Sequence, residues 1–350
     1  RGSTNGKRTD MKEKKNKKSS ETKAMKKSES AQNRKAKSFK KVFIICLCAV
    51  VGLGAIIFVS LVFSDAYSII HPEKVSAKRF PDDSEIGLYY EAATVKFESG
   101  DETVLWFIPA QDIKTAESKK SDITVIFSHD VGDNKTVTKI DDGILYAKQL
   151  ADAGINVATF DYSGSGFATG SGYTYGTREA NELKQIISYV KEKYGSKYIV
   201  LQGWGFGASA AILAGADNDD VTAVISDAAY TDADKYFNED GGLKKWSSMP
   251  DWTHGLTKFF ISVLSEEDMF SAKPINAVSE KNGQAWFFIG EDKDNVFSSD
   301  YATALNNAAA HAENETQIWI SQKSYHAQAY RTDEKNYVEK VLKFIDKVCR

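Results

Sequence analysis

The turn at residues 203–207, which reads Gly-Trp-Gly-Phe-Gly, has the spacing of a motif that presents a nucleophile. The apolar run 198–201 before it predicts a buried strand, and the small apolar residues 207–215 after it predict a helix. In a G-x-S-x-G turn of this kind, small outer residues let the backbone turn sharply, and the oxygen of the central serine attacks a carbonyl carbon. The central residue here is Gly205, which has no side chain. The motif therefore predicts a site shaped for covalent acyl chemistry that lacks its attacking atom.

Around this turn, strand patterns alternate with helix patterns. Two alternating runs at 88–97 and 103–108 predict an antiparallel hairpin at the start of the domain. The later strands are predicted at 123–127, 156–160, 198–201, 223–225, 285–289 and 316–320, and the amphipathic helices at 137–153, 177–194, 207–215, 299–311 and 335–348. This alternation predicts an α/β fold in which a mostly parallel, doubly wound sheet follows the antiparallel entry.

Residues 1–41 differ from the rest of the chain in charge. They hold 13 lysines and 3 arginines against 4 acidic residues, a net charge of +12, so the remainder carries −15 of a total of −3. Because this segment has almost no apolar side chains to bury, it is predicted to be a disordered basic tail. The acidity of the remainder disfavours a nucleic-acid partner.

An uncharged apolar run without proline occupies residues 42–63. At about 1.5 Å per residue it is long enough to cross a hydrocarbon core of roughly 30 Å, so it predicts a transmembrane helix in the lipid bilayer. A buried core helix would be expected to have a polar face instead. The basic flank on one side alone predicts a single-pass protein of the cell membrane, with its N-terminus cytoplasmic and its C-terminal domain extracytoplasmic. The length of the run and the lack of a small-x-small site favour a retained anchor over a cleaved signal peptide.

The remaining boundaries are predicted from composition. Residues 64–85 are predicted to be a polar linker and residues 86–350 one large domain. An aromatic-rich segment at 233–275 breaks the alternation and predicts either a lid over a pocket or an ordinary helical insertion. The five histidines are scattered without ligand spacing, so neither a metal nor another cofactor is expected. Cys349 is the one cysteine outside the apolar run, so no disulfide is expected within the domain.

Several further short motifs occur in a fixed order along the domain. They are Leu88-Tyr89-Tyr90-Glu91, Phe97-Glu98-Ser99, Trp106-Phe107-Ile108-Pro109-Ala110, Phe160-Asp161-Tyr162 with Gly164 and Gly166, and Asp227-Ala228-Ala229-Tyr230-Thr231-Asp232, with His326 ahead of the last helix. Together with the turn at 203–207, they resemble the α/β-hydrolase superfamily, in particular bacterial members with an N-terminal membrane anchor in the prolyl-oligopeptidase and dienelactone-hydrolase branches. The resemblance covers about residues 86–348 and implies the α/β-hydrolase fold.

The resemblance also implies a serine–histidine–acid triad. It places Gly205 at the nucleophile position and His326 at the position of the base. For the acid, related sequences read G-x-x-D-x-x-[VI]-P, whereas residues 290–297 here read Gly-Glu-Asp-Lys-Asp-Asn-Val-Phe, so a lysine falls at the acid position. Asp292 and Asp294 flank that lysine, and both remain candidates, with Asp294 preferred.

For the oxyanion hole, the resemblance implies the backbone amides of Val131 and Phe206. The loop before them carries Asp130 where a glycine is usual, and a carboxylate there would repel a developing oxyanion. With the missing nucleophile, this departure predicts a pseudo-hydrolase that binds a ligand or a partner. The expected ligands are a small acyl compound, a peptide or a glycan.

Three alternatives remain open. In the first, the domain would be an active esterase or peptidase that uses another nucleophile, and Ser209, Ser128 and Ser163 are the nearest candidates. In the second, the nucleophilic serine would have been replaced by engineering. The third alternative is a dinucleotide site, because residues 203–208 also fit the pattern G-x-G-x-x-G/A, and Asp227 ends the next strand near the position of a ribose-binding acid.

Overall fold

The structure is a computed structural model that describes residues 6–115, 117–140, 142–265 and 267–350. By contacts within the chain it divides into two compact units, one ending at Leu61 and the other running from Val62 to Arg350.

Helix α1 runs from Gly6 to Ile70. Among the described residues, one helix is long and apolar enough to cross a membrane, and it lies within Lys12–Ile70, with a mean hydropathy of 3.1 in its most apolar window. The described part of the basic tail is helical rather than disordered as predicted. Its lysines, glutamates and alanines favour helix, and no proline occurs before Pro72, two residues after α1 ends.

The second unit begins with the C-terminal end of α1. Val62, Ala66, Ile69 and Ile70 are buried there, because these apolar residues recur on one face of the helix. The structure therefore differs from the predicted linker at 64–85 in its first residues, which are helical and packed in the domain.

An eight-stranded sheet forms the centre of the second unit, as far as that unit is described. Its strands are β1 Glu91–Lys96, β2 Glu102–Ile108, β3 Ile123–Ser128, β4 Asn156–Thr159, β5 Tyr198–Trp204, β6 Val221–Asp227, β7 Ala285–Glu291 and β8 Thr316–Ser321. Their order in the sheet is β1-β2-β4-β3-β5-β6-β7-β8, with β2 antiparallel to both neighbours and all other pairs parallel. The predicted parallel sheet with an antiparallel entry is confirmed.

Helices cover both faces of this sheet. They are α2 Gly143–Asp152, α3 Thr177–Tyr194, α4 Phe206–Gly215, α5 Ala233–Asn238, α6 Gly242–Trp246, α7 His254–Leu264, α8 Pro274–Val278, α9 Ser299–His311, α10 Ala329–Thr332 and α11 Glu334–Val348. In one apolar cluster, α2 and α11 pack against the sheet. In a second cluster, α3, α4 and α9 pack against a different set of strand side chains. Helix α2 begins later than predicted because Asp142 caps it, accepting hydrogen bonds from the amides of Ile144 and Leu145 at 3.1 Å.

The segment between β6 and β7 holds the short helices α5 to α8. Its aromatic side chains Tyr236 and Phe237 are buried in a cluster with Tyr175, Phe206 and Phe297. The described part of the aromatic segment predicted at 233–275 thus holds these helices, and Tyr236 and Phe237 of α5 pack on Phe206, the first residue of α4. Its role as a lid remains a prediction.

Candidate functional site

Strand β5 passes into α4 through a single residue, Gly205. Its φ of 57° and ψ of −126° lie in a region that glycine adopts far more readily than other residues. The outer glycines are also required: a Cβ on Gly203 would lie 2.6 Å from the Cα of Ala208, and a Cβ on Gly207 would overlap the carbonyl of Ser128. Residues 203–207 therefore form the sharp turn that their glycines predict.

The carboxylate of Asp130 occupies the space beside this turn. A Cβ on Gly205 would overlap the carboxylate carbon and both oxygens of Asp130, which is buried in the loop after β3. Asp130 Oδ1 accepts hydrogen bonds from the amide of Val131 at 2.7 Å and the amide of Phe206 at 2.8 Å. These are the two amides predicted for an oxyanion hole. An internal carboxylate thus engages both amides and fills the space that a nucleophile side chain would need.

The other oxygen of this carboxylate faces two cationic groups. Asp130 Oδ2 accepts hydrogen bonds from Lys139 Nζ at 2.5 Å and from His326 Nε2 at 3.2 Å. Burial alone would raise the pKa of Asp130, but Lys139 and His326 together hold it below its usual range. Asp130 is therefore an ionised carboxylate with four hydrogen-bond donors. Sequence reasoning missed Lys139, since nothing in its spacing from Asp130 distinguishes the pair from two solvated charges.

The backbone of Asp130 is held as well. The amide of Tyr162 donates to His129 Nε2 at 3.1 Å, so the proton of that ring resides on Nδ1. Nδ1 then donates to the carbonyl oxygen of Asp130 at 2.8 Å. His129, itself buried, thereby fixes the loop that places the Asp130 carboxylate.

The structure brings His326 and Asp294 together. His326 Nδ1 lies 2.8 Å from Asp294 Oδ2, and the other oxygen of Asp294 accepts the amides of Val296 at 2.7 Å and Phe297 at 2.9 Å. These amides orient the carboxylate toward the imidazole ring, in the arrangement that a triad acid requires.

Asp292, the other acid candidate, lies elsewhere. It is exposed, and its Oδ1 accepts the amide of Ser324 at 3.2 Å. The loop after β7 turns so that the amide of Asp294 meets the carbonyl of Glu291 at 3.2 Å. This turn, rather than the sequence register, directs Asp294 and not Lys293 toward His326.

The protonation of His326 follows from its two carboxylate neighbours. Burial alone would lower the pKa of His326, but its hydrogen bonds to Asp130 and Asp294 raise that pKa to about 9. The ring is therefore an imidazolium at neutral pH and donates from both nitrogens. A general base needs an unprotonated nitrogen that faces the nucleophile, and here Nε2 faces a carboxylate. The arrangement is a closed cluster of two cations and two anions rather than a poised triad.

The serines considered as substitute nucleophiles lie apart from this histidine. Each is buried, and none is hydrogen-bonded to His326, whose two ring nitrogens contact Asp130 and Asp294. Ser209, for example, accepts the amide of Tyr230 at 3.1 Å. The three side chains are Ser128, Ser163 and Ser209.

The features that favoured a dinucleotide site have other roles in the structure. Asp227 is fully buried, and its Oδ2 accepts a hydrogen bond from the hydroxyl of Tyr337 at 2.8 Å. Glu291, the last residue of β7, is buried beside Asp227. Burial and the nearby Asp227 carboxylate together raise the pKa of Glu291 well above its ordinary value. Within the described parts of the chain, no group of three His, Cys, Asp or Glu side chains could hold a metal ion.

A pocket of about 470 Å³ opens beside the loop that carries Asp294. Its lining includes the charged side chains of Lys235, Asp240 and Lys245 and the ring of Tyr301. Asp130, Gly205 and His326 do not line it. The aromatic ring of Phe297 instead covers His326, at 5.2 Å between ring centres.

No protein-family model and no curated protein matches the chain. Among solved structures, the esterase Pf2001 of Pyrococcus furiosus is similar, with a TM-score of 0.63 and 20% identity, over 79% of this chain and 99% of that one. A puromycin-hydrolyzing peptidase of Mycobacterium tuberculosis has a TM-score of 0.59 and 14% identity, over 76% of this chain and 40% of that one. The α/β hydrolase GrgF of Penicillium sp. sh18 has a TM-score of 0.54 and 15% identity, over 75% of this chain and 99% of that one. At these identities the likeness is one of fold.

Proposed function

We propose that this chain, which has the α/β-hydrolase fold, is a membrane-anchored pseudo-hydrolase that acts by binding rather than by turnover. One observation carries the proposal: the Asp130 carboxylate is bonded to both predicted oxyanion amides and occupies the space in front of Gly205.

Acyl transfer by a serine hydrolase needs a nucleophile, a free base and an empty oxyanion hole. Gly205 supplies no nucleophile, and His326 is held as an imidazolium by its two carboxylate partners. The oxyanion amides of Val131 and Phe206 already have an acceptor. Loss of a triad serine alone removes about six orders of magnitude in turnover, so the three deficits together leave no ordinary hydrolase activity.

For the location, we propose a single-pass protein of the cell membrane with the domain outside the cytoplasm. The long apolar helix supports anchoring, and the net charge of +12 in residues 1–41 favours their retention on the cytoplasmic side. The role that remains for the domain is to bind a partner protein or a small acyl, peptide or glycan ligand. The pocket beside Asp294 is a candidate place for a small ligand, because it is open, whereas the space beside Gly205 is filled by Asp130.

The catalytic part of this proposal is tested on the full chain in detergent micelles. We expect no labelling by a fluorophosphonate probe and no hydrolysis of p-nitrophenyl acetate above that of a matched His326→Ala variant. Covalent labelling of the unmodified chain, or turnover that disappears with His326, would overturn it.

A second candidate function is an active hydrolase with a different nucleophile. The retained pair of His326 and Asp294, 2.8 Å apart, favours it. In that case the probe would label the chain, and peptide mapping of the adduct would identify the serine.

A further inference from the structure

Helix α7 presents two apolar side chains to solvent, Phe259 and Val263, here called the α7 stripe. They are 57% and 63% exposed. The two residues are four positions apart in α7. A spacing of four positions puts both on one side of the helix. The opposite side, with Thr257 and Ile261, is fully buried.

The helix that carries this stripe lies against the beginning of the second unit. The rings of Phe63 and Phe260 meet edge to face, 5.4 Å apart between centres. Phe63 and Tyr67 remain 41% and 48% exposed. Large apolar and aromatic side chains are therefore concentrated around the first residues of this unit.

Hydrogen bonds fix this arrangement. The buried carboxylate of Asp65 accepts the hydroxyl of Ser247 at 2.6 Å and both the amide and the hydroxyl of Ser248 at 2.7 Å. These serines precede α7 by a few residues, so they tie its approach to the end of α1. The position of α7 beside Phe63 is consequently set by buried polar contacts as well as by packing.

Phe63 is also the last residue of the uncharged apolar run 42–63. When that run crosses the hydrocarbon of a bilayer, the chain emerges from the hydrocarbon near Phe63, and α7, in ring contact with it, lies at nearly the same depth. Trp, Tyr and Phe side chains are favoured at this boundary, and an exposed apolar helix face inserts there. Helix α7 contains no carboxylate and one charged residue, Lys258.

We propose that the α7 stripe inserts into the interfacial region of the lipid bilayer, so that the domain rests on the membrane through α7 as well as being tethered to it. This inference depends on the membrane anchoring proposed above. It identifies a lipid surface as the partner of this exposed face of α7.

The test uses the full chain in vesicles of phosphatidylcholine and phosphatidylglycerol, with Cys46 and Cys48 replaced by serine and Cys349 left buried. A nitroxide is attached to a single introduced cysteine, in Val263→Cys on the stripe, Ser188→Cys on the exposed side of α3, or Leu53→Cys in the apolar run. Collisions of each label with oxygen, which partitions into lipid, are compared with collisions with a water-soluble nickel complex. We expect lipid-like exposure at positions 263 and 53 and aqueous exposure at position 188.

The outcomes separate the two proposals. Aqueous exposure at position 53 would refute membrane anchoring itself. Lipid exposure at position 53 with aqueous exposure at position 263 would overturn only the inference about α7. Protection of the label at position 263 from both reagents, with spin broadening that disappears on dilution with unlabelled chain, would identify a second copy as the partner and would also overturn it.

Discussion

Asp130 and Gly205 share one volume: the carboxylate of the first lies where the side chain of any other residue at the second would begin. Because Asp130 also engages the amides on both sides of that volume, the two positions are physically coupled. A serine at 205 and a carboxylate at 130 are alternatives, and the coupling can be measured.

Gly205→Ser alone should destabilise the domain without creating an enzyme. Positive φ at a residue with a side chain costs about 1–3 kcal/mol, and the new Cβ would additionally displace Asp130. Gly87→Ser is the matched control, since Gly87 has a φ of 64° and open space around it. Urea unfolding should show a larger loss for Gly205→Ser than for Gly87→Ser. Equal losses, or ester turnover by the single variant, would contradict the shared volume.

Asp130→Ala combined with Gly205→Ser should cost less stability than the sum of the losses caused by the two single changes. Removal of the carboxylate frees the space for serine and the two amides for an oxyanion, so the stability losses should be non-additive by about 0.5–3 kcal/mol. Fluorophosphonate labelling is expected in the double variant only, and it should disappear when His326→Ala is added. Additive losses and no labelling would indicate that more than this overlap blocks the site.

The imidazole of His326 should titrate with a pKa of about 9 in a ring-proton NMR experiment on the folded chain. Asp130→Asn and Asp294→Asn should each lower that pKa toward 6.5, because each removes a carboxylate bonded to the ring. Asp292→Asn is the control and should leave it unchanged, as Asp292 bonds to Ser324 instead.

The same titration predicts a pH dependence of stability. The folded-state pKa of His326 is raised above 6.5, so its contribution is complete below that pH and is lost as pH rises through about 9. The free energy of unfolding should therefore fall over this range in the natural chain, and less steeply in His326→Gln. Parallel slopes for the two proteins would show that the ring is not charged in the fold.

Glu291 should also make the free energy of unfolding fall as pH rises, because it holds a proton in the folded state. Burial and the neighbouring carboxylate of Asp227 raise its pKa, so the folded state retains a proton that the unfolded state releases above about pH 4.5. Stability should decline as pH rises through the raised pKa. Glu291→Gln, which keeps a neutral group there, should reduce this decline in urea unfolding, whereas the exposed control Glu192→Gln should not.

Much of the fold is encoded locally and could be predicted. The eight strands and the turn around Gly205 follow from apolar runs punctuated by glycine, because strand period and glycine freedom depend on neighbours in the sequence. The position of His326 ahead of the last helix was likewise readable from order along the chain.

The contacts of the site were not readable in this way. The hydrogen bonds of Asp130 to Phe206 and His326 join residues 76 and 196 positions apart, and no local pattern specifies them. The sequence suggested that Asp130 would repel an oxyanion, but not that it would take the place of one. The described part of the basic tail is helical although it has few apolar side chains to bury, because its lysines, glutamates and alanines favour helix locally.

The carboxylate that fills the space beside Gly205 is part of the chain itself. An external acid, phosphate or tetrahedral analogue can bind the amides of Val131 and Phe206 only by displacing the Asp130 carboxylate. Because Asp130 belongs to the same chain, its effective concentration at these amides does not change on dilution. The apparent affinity of such a compound is reduced by the fraction of molecules in which Asp130 has moved away. Compounds that bind by accepting hydrogen bonds from these two amides are therefore expected to bind this protein weakly.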